Sequence, residues 1–94
     1  MSGQFRVVIT PKCEREVRKL TSRNSELADV VENLISILEE DPYNHHRRYR
    51  IKKLAGVKPG EGQWRIRSGD YRLRYDIVGN DVVLDSFRDR KDAY

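Results

Sequence analysis

The chain has 94 residues, which suits one domain with a single modest core and excludes a deep, enclosed cofactor pocket. Charged residues make up 36% and hydrophobic residues 37%, with a net charge of +4. Regular apolar segments in that composition argue against disorder, and the basic excess points to an anionic partner, nucleic acid first.

Cys13 is the only cysteine, which excludes an internal disulfide and a cysteine-rich zinc site. No apolar run is long enough to cross a membrane, and no charged-then-apolar leader is visible at Met1. A cytoplasmic protein without membrane contact is expected.

"FRVVIT" (residues 5–10) is rich in β-branched residues and reads as a strand. Thr10 can cap a helix that Pro11 begins. Cys13, Val17 and Leu20 then form a narrow apolar stripe, and "TSRNS" reads as a turn in which Ser25 can cap a second helix. Leu27, Val30, Val31, Leu34, Ile35 and Leu38 recur at helical spacing until Pro42 stops the pattern. Two helices joined by so short a turn predict a helical hairpin. The next stretch is irregular, glycine-rich and basic, with a short strand or turn around residues 49–54. Three strands follow at 63–67, 71–78 and 82–87, separated by the turn signals "SGD" and "GND". The order predicts a single α+β domain over residues 1–94. It consists of an N-terminal strand, a two-helix hairpin and an antiparallel three-stranded meander, with the helices on one face.

The segment "WRIRSGDYRLRYDI" carries Arg65, Arg67, Arg72 and Arg74. Strand alternation puts Trp64, Ile66, Tyr71, Leu73, Tyr75 and Ile77 on the helix side, so all four arginines share the open face. A charged run is ordinarily a solvated surface balanced by nearby acids. Between Pro42 and Val78, however, ten Lys/Arg face only Glu61, Asp70 and Asp76, while the helices carry most of the acid. Arginine predominates, and its planar fork suits phosphate. Arg47, Arg48, Arg50, Lys52, Lys53 and Arg74 extend the expected RNA-binding surface.

Tyr43, Tyr49, Trp64 and Tyr94 lie among these charges and could stack on unpaired bases. Parity favours core packing for Trp64, Tyr71 and Tyr75. Tyr94 ends a polar tail and is either frayed or functional. His45 and His46 are adjacent and lack metal-ligand spacing, so no metal is expected. Cys13 sits on a helix stripe and reads as a small core residue.

The hairpin "WRIRSGDYRLRYDI", the preceding "KKLAG" and the tail "RDRKDAY" resemble the RelE family of toxins, within the RelE/ParE superfamily. The resemblance covers nearly the whole chain. It implies the toxin of a type II toxin–antitoxin system. Such a toxin cuts mRNA in the ribosomal decoding site, without metal or cofactor, through attack of a 2′-hydroxyl on the adjacent phosphate. Arg65, Arg67, Arg72, Arg88 and Tyr94 match catalytic positions. Arg90 matches the tail, and Lys52 and Lys53 match residues that touch ribosomal RNA. The implied partners are the ribosome, mRNA and a RelB-like antitoxin. Better-known members have lysines where Arg65 and Arg67 stand, one of them assigned as the base. Arginine cannot readily be that base. Tyr94 is the better candidate, or it works mainly by stacking. Two alternatives stand beside this reading: a ParE-like inhibitor of DNA gyrase, and an RNA-binding domain without enzymatic activity.

Overall fold

A computed structural model describes residues 4–92. The elements are β1 (Arg6–Ile9), α1 (Pro11–Arg23), α2 (Leu27–Glu40), β2 (Ile51–Lys53), β3 (Trp64–Ser68), β4 (Tyr71–Val78) and β5 (Asp81–Asp89), then a 3₁₀ turn at Arg90–Asp92. The α+β class and the two helices agree with the sequence reading. The sheet is larger than a three-stranded meander. Its order is β1-β5-β4-β3-β2, with β1 parallel to β5 and the other pairs antiparallel.

Two short strands therefore flank the meander. β1 covers part of the outer edge of β5, whose backbone groups would otherwise lack partners. Its register places Val7 beside Val82, and Val7 packs partly buried against the core, while Ile9, beside Leu84, stays exposed. Thr10 ties this edge to the first helix. Its Oγ1 accepts the Cys13 N–H at 3.2 Å as N-cap and donates to the Leu84 carbonyl at 2.8 Å.

The turn between the helices is shorter than expected. Thr21 and Ser22 belong to α1, where their hydroxyls donate to the Val17 and Lys19 carbonyls, both at 2.8 Å. Ser25 does not cap α2. Glu26 occupies the cap position without a side-chain bond, and Asn24 Oδ1 accepts the Glu26 N–H at 3.1 Å.

One core lies between the helices and one sheet face. Leu27, Val31, Leu34 and Leu38 of α2 meet Ile66, Leu73, Tyr75, Val82, Leu84 and Phe87 of the sheet. Burying each such side chain contributes about 1.5–3 kcal/mol before entropy is counted. Trp64 and Tyr71 pack partly buried against this cluster, as parity predicts. The buried Tyr75 hydroxyl donates to the Pro42 carbonyl at 2.7 Å, fixing the chain where it leaves α2. Cys13 is buried as well. Burial, with Glu16 and Asp85 nearby, pushes its thiol up to about 12, so it remains a neutral core group.

Candidate functional site

The face of the sheet away from the helices is cationic. Ladder register brings the predicted arginines together: Arg65 stands opposite Arg74, and Arg67 opposite Arg72. Lys52 on β2 extends the first row beyond Arg65, and Arg88 on β5 extends the second beyond Arg72. Arg88, expected in a polar tail, thus belongs to a strand. Pairing of β5 continues to Asp89, opposite Tyr71.

A β-bulge makes that placement possible. Arg74 pairs with Ser86 and Tyr75 with Leu84, so Asp85 has no residue opposite it on β4. In an unbroken strand, Leu84 on the core face would put Phe87 outward and Arg88 inward. The one extra residue reverses the parity. Phe87 enters the core at 1% exposure, and Arg88 joins the arginine face.

The result is an open groove of about 490 Å³. Among the described residues it is lined by Lys12, Leu54, Gly60, Glu61, Arg65, Arg72, Arg74, Asp85, Ser86 and Arg88. Arg74 is anchored: Nε donates to the Gly62 carbonyl at 3.1 Å and Nη2 to the Glu61 carbonyl at 2.9 Å. The neighbouring Asp76, buried at 5% exposure, accepts the Gly62 and Gln63 N–H groups at 2.9 and 3.0 Å. Together they pin the loop that forms one wall. Gly62 has φ +78°, and a Cβ there would lie 2.9 Å from Arg74 Cβ, so glycine is required twice over.

Arg88 is held by a side chain of α1. Glu16 accepts its Nε at 3.1 Å with one carboxylate oxygen and the Phe87 N–H at 3.1 Å with the other. By contrast, Arg65 Nε and Arg67 Nε are buried and have no hydrogen-bond partner among the described residues. Closely spaced guanidinium groups on neighbouring strands repel one another, and a bound anion relieves that repulsion.

Other expected residues lie apart from the groove. Lys53 points to the opposite face of β2, its Nζ 5.7 Å from the Trp64 ring centre. Arg47, Arg48 and Arg50 are exposed on the segment before β2, and Arg90 is exposed in the 3₁₀ turn. His45 and His46 are exposed, and their backbone N–H groups bond Asp41 at 2.8 and 3.1 Å. Tyr94 lies outside the described residues. Lys12, Glu16, Asp85 and Ser86 went unremarked as site residues in the sequence. Lys12 and Asp85 are distant in the chain, and only the β1–β5 pairing brings the start of α1 to the bulge.

Comparison with known proteins agrees with this arrangement. Residues 7–94 match the family model of the ParE toxin of the type II toxin–antitoxin system parDE. No curated protein matches the chain. The solved RelBE2 toxin–antitoxin complex of Mycobacterium tuberculosis is similar, with 29% identity and a TM-score of 0.69 over 93% of this chain and 99% of that one. The RelB–RelE antitoxin–toxin complex of Methanococcus jannaschii shares the fold, with a TM-score of 0.69 at 17% identity over 93% and 94% of the two chains. With its cationic hairpin face and near-complete family match, the chain belongs to the ParE toxin family of type II toxin–antitoxin systems, within the RelE/ParE superfamily.

Proposed function

We propose that this toxin is a ribosome-dependent mRNA endoribonuclease of the RelE kind. The observation that carries the reading is the direct opposition of Arg72 and Arg88 across the β4–β5 ladder, both lining one open groove. Cleavage by an internal 2′-hydroxyl requires in-line alignment and neutralisation of charge on the phosphorane. Two guanidinium groups from adjacent strands suit that neutralisation. Arg65 and Arg67 would bind flanking phosphates, and Tyr94 would act at the scissile link. Arg47, Arg48, Arg50, Lys52, Lys53, Arg74 and Arg90 would add contacts to ribosomal RNA or message, or support the groove. No metal or cofactor takes part in this scheme. An open groove has few groups to align a flexible RNA, so the ribosome would supply the alignment.

The partner implied by this reading is a RelB-like antitoxin. The two solved neighbours are antitoxin complexes, and an acidic segment would complement the arginine face. A cytoplasmic location goes with a ribosomal target. Among the described residues no helix is long and apolar enough to cross a membrane.

The match to a ParE toxin model favours, as a second reading, the ParE-like alternative, inhibition of DNA gyrase without nuclease chemistry. Primer extension on translated mRNA after brief induction, run beside plasmid topology, separates the two. New stops inside codons with normal supercoiling support cleavage. Supercoiling defects with intact message support the gyrase reading.

A further inference from the structure

The groove has two carboxylates in its lining, and they differ in how they are held. Glu61 is exposed on a loop. Asp85 is the extra residue of the β5 bulge, on the sheet itself, with its side chain 21% exposed. Alternation from the inward Leu84 puts Asp85 on the open face, and the bulge keeps the next residue, Ser86, there beside it and returns Arg88 to the same face. The acid thus shares the groove with Lys12 of α1, Arg65 of β3, Arg72 and Arg74 of β4, and Arg88 of β5. Lys12 Nζ is 3.9 Å from Asp85 Oδ2. The loop backbone comes close without crowding it, because a Cβ at Gly62 would lie only 3.3 Å from Asp85 Oδ2.

Its ion pair with Lys12 helps to balance the clustered cations, but an acid between phosphate-binding groups also lowers the groove's affinity for RNA, and a cleavage site gives that acid a use. The arginines at 65 and 67 cannot accept a proton, whereas a carboxylate can. We propose that Asp85 is a catalytic residue, the general base that takes the proton from the attacking 2′-hydroxyl. The inference rests on the ribonuclease reading. In the step, the 2′-O–H bond breaks and its proton passes to the Asp85 carboxylate. The 2′-oxygen forms a bond to phosphorus, and the bond from phosphorus to the 5′-oxygen breaks. That oxygen keeps the electron pair and takes a proton from water, leaving a 2′,3′-cyclic phosphate. Asp85 then returns its proton to water.

The test is single-turnover cleavage of mRNA on programmed ribosomes by the full chain, with ribosome affinity and thermal melting measured in parallel. Asp85→Asn should lose about 10²–10⁴-fold in rate, the contribution of a positioned base. Its affinity should be equal or greater. Asp85→Gly, which a bulge position accommodates, should regain rate when formate is added, and a structural role gives no such rescue. A wild-type rate in Asp85→Asn would overturn the assignment and leave the ribonuclease reading intact. Absence of formate rescue in a folded Asp85→Gly would also overturn it. Absence of cleavage by the wild-type chain would overturn both.

Discussion

Arg67 lies directly opposite Arg72 across the β3–β4 ladder, two like charges at a position where sheets ordinarily pair opposites or apolar groups. Arg88 continues the row on β5. Arg67 Nε is also buried without a partner among the described residues. The face is therefore built at some cost to the free protein. Arg67→Thr is expected to raise unfolding stability by about 0.2–1 kcal/mol, the scale of a cross-strand pair. The same change should weaken ribosome binding and lower the slope of log affinity against log salt by about 0.7–0.9, one phosphate contact. Denaturant titration and salt-dependent binding check the two halves.

The loop wall rests on Asp76 and Gly62. Asp76→Ala would leave the Gly62 and Gln63 N–H groups without their acceptor in a buried place. A loss of about 2–3 kcal/mol in stability is expected, since these are bonds to a charged group. Gly62→Ala combines a positive φ with the Arg74 contact, so a cost above about 1 kcal/mol is expected. Both variants should loosen the loop, and faster amide exchange at residues 61–63 is the direct measurement.

The parts legible in the sequence are those with a simple period. Helical spacing located α2, and alternation in "WRIRSGDYRLRYDI" placed four arginines on one face, as the register bears out. Two features broke the period. The apolar residues of β5 run Val82, Leu84, Phe87, a step of two and then three. That irregular step is the mark of the bulge, and without it Arg88 reads as tail and Asp85 as a stray surface acid. The pairing of β1 with β5 joins residues more than seventy positions apart, which no local pattern reports. Lys12 and Glu16 reach the site only through that long-range contact.

Asp41 predicts an acid limb in stability. Burial pushes its carboxyl up, but backbone N–H bonds from His46 and His45, with their neighbouring imidazoles, outweigh it and hold the group below the usual carboxylate range. A depressed native pKa contributes stability that is present above the unfolded value, near ~4, and is lost as pH falls through the native value. Asp41→Asn should be less stable than wild type at neutral pH, with the difference shrinking as pH drops below about 4. Urea unfolding at several acidic pH values gives the comparison. A gap that stays constant with pH would show that the charge of Asp41 plays no part.

The catalytic assignment makes unequal demands on the arginines and on Tyr94. Arg72→Ala and Arg88→Ala should each raise the single-turnover barrier by about 2–4 kcal/mol, the scale for removing one electrostatic stabiliser of a developing charge. Ribosome affinity should change less, because other cations share binding. Arg74→Ala should act differently, since its guanidinium is bound to the Glu61 and Gly62 carbonyls. It should lower melting temperature along with rate. For Tyr94 the hydroxyl and the ring separate cleanly. If Asp85 accepts the 2′-hydroxyl proton, the tyrosine hydroxyl is dispensable, and Tyr94→Phe should keep most of the cleavage rate while Tyr94→Ala loses it with the stacking surface. If Phe falls as far as Ala, the ionisable hydroxyl carries the chemistry, and Asp85 is left to organise the arginines around it. Deleting the chain after Phe87 removes Arg88, Arg90 and Tyr94 together. Intact cleavage by that truncated chain would sink the catalytic assignment as a whole, because the groove would then lack half of its phosphorane-facing charge.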